Sequence, residues 1–210
     1  MDVFVFGICG GSGSGKTTLA RRLMERCDPR SVSFLAFDAY YRDLAHLTLE
    51  QRRRCNFDHP DSLDTDLFLQ HLDALSSGRD VAVPVYDFTT HTMTGRFQHV
   101  AAARLLVVEG ILLLNSDQAA ARLDYAVFLD VPEETRRLRR IQRDVAERGR
   151  TPEHAMRQFR TSVTPMHENF VQPNRHRADR IFTGSETAQL TDELLELLAL
   201  KVPSLTQAAL

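Results

Sequence analysis

The 210-residue sequence has no tryptophan, two lysines and three cysteines. Cys9, Cys27 and Cys55 are far apart and form no C-x-x-C pair, which argues against a disulfide framework or a zinc site and favours a reducing compartment. No apolar run approaches the length of a membrane span. Because no basic cluster precedes the first apolar run, that run is interpreted as a core strand and not as a signal peptide. We therefore expect a cytoplasmic protein without a membrane partner.

The charge balance also lacks an excess of one sign. The formal net charge is −2, with 26 basic and 28 acidic residues, so no overall attraction to nucleic acid or to an anionic membrane surface is expected. An apolar share of 43% is ordinary for a globular chain with a substantial core. Together with the length, these values predict one domain over residues 1–210.

A glycine-rich stretch near the start of the sequence is the strongest single signal. The apolar run from Val3 to Ile8 predicts a strand, and it leads into G-x-x-x-x-G-K-[ST] followed by a helical pattern. Such glycines let successive backbone N–H groups point at a triphosphate, and the following helix adds the positive end of its dipole. We expect Lys16 to reach the β- and γ-phosphates and the Thr17 hydroxyl to ligate Mg²⁺. The predicted nucleotide-binding residues of this loop are Gly10, Gly11, Ser12, Gly13, Ser14, Gly15, Lys16, Thr17 and Thr18.

Strand-like and helix-like segments alternate along the rest of the sequence. This predicts an α/β fold of the P-loop type, with a mostly parallel sheet covered by helices on both faces. Further strands are predicted at Val32 to Phe37, Leu105 to Val108, Tyr125 to Val131 and Arg180 to Thr183, with a β-hairpin from Val81 to Phe88 and Phe97 to Val100 in an insertion at about 81–100. Helices are predicted at Thr17 to Cys27, Thr48 to Arg54, Thr65 to Leu75, Ile111 to Leu123, Pro132 to Arg148, from Thr151 onward, and at Glu186 to Lys201. An arginine-rich helical lid is expected at about 133–160, and Pro165 is expected to kink or end its helix.

Two carboxylates follow predicted strands, at the sheet edge where α/β folds bind ligands. Asp38 comes directly after the second strand, so we interpret it as a catalytic residue that accepts the proton of an acceptor hydroxyl and faces the Mg²⁺ shell. Glu109 lies where a Walker-B carboxylate would hold Mg²⁺ through water. Simpler roles stay open at both positions, because Asp38 could cap a turn and Glu109 could pair with an arginine.

A P-loop alone is shared by several classes of protein and does not define the reaction. GTPases are expected to carry a guanine-reading N-K-x-D motif, and neither lysine of this sequence has that context. We also expect no second ATPase domain of a transporter in a chain of this size. These observations argue against a GTPase and against such a transporter, and they leave the reaction open.

Further stretches resemble one family of P-loop kinases. FDAYYRD at 37–43, NFDHP at 56–60 and PVYDF at 84–88 with the following His91 are similar to the motifs of the uridine kinases (uridine–cytidine kinases). VEGI at 108–111 and RDVAERGR at 143–150 resemble the same family, so the likeness extends over about residues 3–183. It implies transfer of the γ-phosphoryl group of ATP or GTP, with Mg²⁺, to the 5′-hydroxyl of uridine or cytidine. It also implies a homo-oligomer, commonly a tetramer.

The resemblance implies roles for individual side chains. The predicted catalytic residues are Lys16, Asp38 and Arg143, and the predicted metal site consists of Thr17, Asp38 and Glu109. Arg143 and Arg148 are expected to meet the phosphates. The predicted nucleoside-binding residues are Tyr41, Phe57, Asp58, Tyr86, Phe88, His91, Arg140, Arg150 and Gln158.

Within that set, the chemistry of each side chain suits a different part of a nucleoside. Asp58 can accept hydrogen bonds from both cis hydroxyls of a ribose. Tyr86 and His91 are expected to hold the edge of the pyrimidine, and Phe57 and Phe88 to pack on its faces.

The sequence departs from the family pattern in two places. Met93 stands where the relatives usually carry Arg, and Thr183-Gly184-Ser185 replaces a Pro-Arg-Gly after the last strand. The choices between uridine and cytidine and between ATP and GTP therefore stay open. Two other functions also stay open, namely a related kinase of the phosphoribulokinase or pantothenate kinase type and a nucleotide-sensing protein without turnover.

Overall fold

The computed structural model describes residues 2–184, 187–203 and 205. Its seven strands are β1 (Phe4–Gly10), β2 (Val32–Ala36), β3 (Val81–Asp87), β4 (Thr92–Val100), β5 (Leu105–Gly110), β6 (Tyr125–Asp130) and β7 (Arg180–Thr183). Five of them form one sheet in the order β2-β5-β1-β6-β7, and every neighbouring pair is parallel. β3 and β4 form a separate antiparallel hairpin. The predicted parallel sheet and hairpin insertion are confirmed.

Helices cover the sheet on both faces, as predicted. They are α1 (Lys16–Glu25), α2 (Leu49–Arg53), α3 (Thr65–Ser76), α4 (Asp117–Ala120), α5 (Glu133–Arg148), α6 (Pro152–Gln158), α7 (Thr164–Met166) and α8 (Thr187–Lys201). Side chains alternate along β1, so Phe6 joins a core with Leu19 of α1 and Leu194 of α8, whereas Val5 joins a second core with Phe68 of α3. Glu186, the predicted start of α8, lies outside the described residues.

The carboxyl ends of the central strands bring the predicted site together. β1 runs directly into the glycine-rich loop, and β2 runs into a 3₁₀ turn, Phe37–Tyr40, that carries Asp38. Glu109 on β5 lies in register with Ile8 on one side and Ala36 on the other. Three segments far apart in sequence therefore meet at one edge of the sheet, where a parallel α/β sheet binds its ligands.

The hairpin turn differs from the prediction. β4 begins at Thr92 and not at Phe97, because the chain reverses at residues 88–91. The Asp87 carboxylate closes this turn by accepting hydrogen bonds from the backbone of Thr89 and from the Thr90 hydroxyl. Gly95 therefore lies inside the strand.

The helix predicted from Ile111 to Leu123 is wrong over most of its length. Only Asp117–Ala120 is helical, and it begins where the Ser116 hydroxyl accepts a hydrogen bond from the Ala119 backbone. The preceding apolar run 112–114 is completely buried in turns that fill the core on the α3 side of the sheet. Burial of all three side chains, and not a helical stripe, explains the apolar pattern there.

Pro165 is accommodated by a change of helical register. The regular helix α6 ends at Gln158, and π-helical turns at Phe159–Val163 and His167–Val171 enclose the short α7. Pro165 lies in the first turn of α7, where a missing amide donor is tolerated. The expected start of α6 is confirmed, because the Thr151 hydroxyl accepts from the His154 backbone and Pro152 follows the cap.

Two further observations concern the cysteines and the possibility of a membrane-spanning helix. The three cysteines are free, with Cys9 and Cys27 buried and Cys55 half-buried. Within the described parts of the chain, no helix combines the length and the apolar character that crossing a bilayer requires.

Candidate functional site

The glycine-rich loop has the backbone of an anion cradle. Gly10, Gly13 and Gly15 have φ angles of +137°, +82° and +98°, which side chains other than glycine rarely adopt. A Cβ atom on Gly13 would also lie 2.3 Å from the carbonyl oxygen of Arg136. Helix α1 starts directly after the loop, at Lys16, so its free N–H groups and its dipole face the same space.

Lys16 and Thr17 are oriented by contacts to neighbouring segments. The Lys16 Nζ donates to the Gly11 carbonyl over 3.1 Å. Burial lowers the pKa of Lys16, and Glu109 and Asp38 partly oppose this effect. The Thr17 Oγ1 donates to both oxygens of Glu109, at 2.9 and 3.1 Å. Burial raises the pKa of Glu109, again with partial compensation by Lys16.

The contact between Thr17 and Glu109 fits a magnesium site. Both side chains offer oxygen, and the Asp38 carboxylate lies near enough to contribute to the raised pKa of Glu109. The described residues hold no group of three or more His, Cys, Asp or Glu side chains placed around a metal. Mg²⁺ at phosphate sites needs no such cage, because it keeps water and phosphate oxygens among its ligands.

Beside the cradle lies a small cavity whose lining residues include three with an unpaired buried oxygen atom. These atoms are Asp38 Oδ1, Asp58 Oδ2 and the Tyr86 hydroxyl oxygen, and the Arg143 Nε in the same lining has no hydrogen-bond partner either. Buried polar atoms in folded proteins are nearly always paired, so three unpaired oxygens on residues that line one cavity point to a polar ligand. The cavity measures about 20 Å³, room for about one water molecule. Its walls are formed by Ser12, Asp38, Tyr41, Phe57, Asp58, Tyr86, Phe88, His91, Ile111, Arg140, Arg143, Arg148 and Arg150.

Aromatic rings form the far wall of the cavity, and the protein covers their faces. The imidazole of His91 stacks on Phe57, with ring centroids 4.3 Å apart and planes 12° from parallel. The Arg148 guanidinium lies 4.9 Å above the ring of Phe88. Tyr41 packs edge-on against Phe57 and Phe88. A pyrimidine that packs on the same face of Phe57 or Phe88 would therefore have to displace His91 or Arg148.

His91 adopts a strained backbone conformation in the hairpin turn. Its φ angle is +56°, and no other described residue except glycine has a positive φ. Strain of this kind is concentrated at functional sites. Burial lowers the pKa of His91 to about 4, and Arg150 and Arg148 act in the same direction. The imidazole is therefore neutral at physiological pH.

Arginines of α5 and of the loop after it close the cavity from above. Arg140 Nη1 donates to the Ser12 hydroxyl of the P-loop and lies 3.6 Å from Asp58 Oδ1. Arg143 donates to the same hydroxyl over 3.4 Å. Burial alone would lower the pKa of Arg140, but Asp58 and Asp144 raise it above its ordinary value.

Asp144 is a member of this site that the sequence did not reveal. Asp144 is only 1% exposed and lies within 4 Å of four arginines. The one available signal was its spacing from Arg140 and Arg148, four residues on either side, with Gly149 and Arg150 directly following.

A few predicted residues lie outside the cavity. Gln158 accepts a hydrogen bond from Arg150 and borders an open groove of about 520 Å³ between α2 and α6. Thr18 lies half-buried in the first turn of α1. Met93 packs against the hydrophobic core, and its backbone donates to Asp43. Thr183 ends β7 and Gly184 follows it with a φ of +117°, while Ser185 lies outside the described residues.

The fold and the site together are those of P-loop kinases. The chain belongs to the phosphoribulokinase/uridine kinase family, which matches residues 5–191. A uridine kinase of Chloroflexus aggregans is 41% identical over 180 residues, 86% of each chain. A uridine kinase of Staphylococcus epidermidis is 37% identical over 201 residues, 96% of each chain. The structure of phosphoribulokinase from Rhodobacter spheroides shares the fold, with a TM-score of 0.64 at 15% identity over 89% of this chain and 73% of that one.

Proposed function

We propose that this protein is a uridine kinase that transfers the γ-phosphoryl group of ATP or GTP to the 5′-hydroxyl of uridine or cytidine, giving UMP or CMP. The observation that carries the proposal is the set of unpaired buried atoms beside the P-loop, Asp38 Oδ1, Asp58 Oδ2 and the Tyr86 hydroxyl. A nucleoside offers partners for all three, through its primary alcohol, its ribose diol and its base. The names of the relatives that cover most of the chain agree with this choice.

In the proposed reaction, Asp38 aligns the acceptor alcohol. Its free Oδ1 accepts a hydrogen bond from the 5′-hydroxyl and takes the proton as the new O–P bond forms. Because the transition state of phosphoryl transfer is loose, alignment contributes more than early removal of the proton. Lys16 and Arg143 stabilise the negative charge on the transferred group, and both are held near the P-loop by the contacts described above.

Different residues are proposed to bind the metal, the ribose and the base. Thr17, Glu109 and Asp38 would hold Mg²⁺, which neutralises phosphate charge and orients the donor when it is bound. Asp58 accepts from the ribose diol through Oδ2, while Arg140 stays near its other oxygen. A neutral His91 reads the edge of the base together with Tyr86.

Three further properties belong to the proposal. The three free thiols fit a protein of the cytoplasm. A homo-oligomer, a tetramer by family resemblance, is expected in solution and is checked by light scattering. The donor base and the preference between uridine and cytidine are decided by the assay described next.

The test is a coupled assay of ADP release with separate acceptors. We expect turnover with uridine or cytidine, with UMP or CMP identified by mass, and none without an acceptor. Turnover with ribulose 5-phosphate or pantothenate in place of a nucleoside would identify a related kinase, and binding of ATP without any turnover would identify a nucleotide sensor. Repeating the assay with GTP determines the donor.

A substitution of the proposed base tests the mechanism. Asp38→Asn should lower kcat about 100-fold or more, while ATP affinity measured by calorimetry stays within about threefold. Asp66→Asn, an exposed carboxylate in the first turn of α3, is the matched control and should behave as wild type. A wild-type rate in Asp38→Asn would remove the role assigned to this residue.

A further inference from the structure

Asp144 lies where the sequence can surround one carboxylate with arginines. Arg140 precedes it by one helical turn and Arg148 follows it by one turn, so both lie on its face of α5. Gly149 then ends the helix in the left-handed region, with a φ of +61°, and its N–H donates to the Asp144 carbonyl. The Arg150 backbone N–H donates to the same carbonyl. This turn of the backbone brings the Arg150 side chain back to the Asp144 carboxylate.

The two carboxylate oxygens contact the arginines in different ways. Oδ2 accepts hydrogen bonds from Arg140 Nε at 2.9 Å and from Arg150 Nη1 at 2.7 Å. Oδ1 accepts no hydrogen bond, although Arg148 Nη1 and Arg143 Nε lie 3.2 and 3.8 Å away. One pair of guanidiniums is therefore fixed in direction, and the other pair is attracted by charge alone.

We propose that Asp144 is a positioning residue that fixes Arg140 and Arg150 on the nucleoside side of the cavity and leaves Arg143 and Arg148, which do not hydrogen-bond to its carboxylate, available to the donor phosphates. This proposal rests on the proposed kinase function for its reaction, but the arrangement of the arginines does not depend on it. Because its Nε is bound to Asp144, Arg140 directs Nη1 at Ser12 and at Asp58. Arg150 in turn donates to Gln158.

The charges explain why the carboxylate has to be there. All four guanidiniums lie within 4 Å of the Asp144 carboxylate. Without this carboxylate they would repel one another in the partly buried site. Burial alone would raise the pKa of Asp144, but Arg140, Arg148 and Arg150 hold it below its ordinary value, so the group stays ionised. An anionic donor can supply more negative charge after it binds, whereas Asp144 supplies it beforehand, together with Asp58 beside Arg140.

The kinetic test replaces the charge with an isosteric amide. Asp144→Asn should lower kcat about 10- to 100-fold and raise KM for uridine at least fivefold, because Arg140 and Arg150 lose their fixed directions. KM for the donor should stay within about threefold, since the arginines keep their attraction for phosphate. Glu147→Gln, an exposed carboxylate on the same helix, is the control and should match wild type in all three constants. Wild-type constants in Asp144→Asn would overturn the proposal.

A binding test separates positioning from general structural support. Inorganic pyrophosphate, added without nucleoside, should raise the thermal midpoint of Asp144→Asn more than that of wild type or Glu147→Gln, because the variant has one more uncompensated positive charge. A gain no larger than that of wild type would overturn the proposal. This measurement needs no turnover, so it remains informative even if uridine is not the substrate.

A charge-balanced variant covers the case in which Asp144→Asn does not fold. Asp144→Asn combined with Arg148→Gln removes one charge of each sign and should fold. It should return the pyrophosphate gain to the wild-type value and keep the raised KM for uridine, because Arg140 and Arg150 still lack Oδ2. A wild-type KM for uridine in this double variant would contradict the positioning role.

Discussion

Replacing Tyr86 with phenylalanine should make the free protein more stable and its nucleoside binding weaker. The Tyr86 ring is buried, and its hydroxyl has no hydrogen-bond partner. An unpaired buried hydroxyl costs about 1–3 kcal/mol relative to an apolar group of the same shape. Its removal should raise the free energy of unfolding by about 1 kcal/mol or more, and the thermal midpoint of a chain of this length by about 2–4 °C per kcal/mol.

The same substitution should also weaken nucleoside binding, because the proposed function gives the Tyr86 hydroxyl a hydrogen bond to the base. A hydrogen bond of this kind contributes about 0.5–1.5 kcal/mol, so KM for uridine should rise about two- to tenfold. KM for the donor should not change, because Tyr86 lies on β3 and is not among the residues proposed to bind the donor.

Tyr40→Phe is the matched control for this prediction. Tyr40 is completely buried like Tyr86, but its hydroxyl is paired with His71 Nδ1 at 2.8 Å. Tyr40→Phe should therefore lose about 0.5–1.5 kcal/mol of stability and keep its KM for uridine. Thermal melts and steady-state kinetics of both variants decide the question. If Tyr86→Phe melts below wild type, as Tyr40→Phe should, then the Tyr86 hydroxyl is satisfied in the free protein and the reasoning fails.

Three further predictions follow from the geometry. Gly13→Ala should abolish ATP binding, measured by calorimetry, because its Cβ would meet the Arg136 carbonyl at 2.3 Å, whereas Gly95→Ala, with a similar φ and no atom within 4 Å, should cost about 1 kcal/mol of stability and keep binding. Because burial lowers the pKa of His91 from 6.5 to about 4, the unfolded chain binds a proton in this range that the folded protein does not bind, and stability should decrease by up to about 3 kcal/mol as pH falls from about 6.5 to 4. His91→Gln should reduce the slope of a plot of unfolding midpoint against pH without removing it, because burial lowers the pKa of His167 to about 4 as well, and an unchanged slope would disprove the burial effect at His91. Removal of Mg²⁺ by a chelator should abolish turnover and Thr17→Val should raise the Mg²⁺ concentration for half-maximal rate, and a rate independent of added metal would contradict the assigned site.

The parts of the fold that could be predicted depend on local patterns. The glycine-rich loop needs a strand before it and a helix after it, and the neighbouring residues predict both. Buried parallel strands such as Leu105–Gly110 are continuous apolar runs, which the sequence also displays directly. The layers on either side of the sheet then follow from the helical stripes.

The segments that were mispredicted depend on distant contacts. The apolar residues 112–114 resemble a helix by composition, but their burial is decided by α3, about 40 residues away in the sequence. The hairpin turn depends on which side chain closes it, and Asp87 closes it at residues 88–91, well before the start of the second strand predicted at Phe97. Composition and spacing cannot decide between a helix and buried turns at 112–114, or between the two positions of the hairpin turn.

The site was predictable to the extent that motifs carry it. Asp38, Asp58 and Tyr86 were placed in one crevice by resemblance, and the structure brings them to one cavity. Asp144 was missed because an acid four residues from an arginine on a helix usually indicates an exposed pair. Only the turn at Gly149, which brings a third arginine back to the same carboxylate, distinguishes a buried cluster from a solvated helix face.

The narrowness of the cavity has a consequence for how ligands are sought. Binding pockets for molecules of nucleoside size usually measure several hundred cubic ångströms, far above the roughly 20 Å³ between Tyr86 and Asp58. If uridine binds in this cavity, as proposed, helix α5 or the turn at residues 88–91 has to move first, and the observed binding rate should level off at high uridine concentration instead of rising in proportion. A docking screen against the cavity in this conformation would therefore reject molecules of nucleoside size, including uridine.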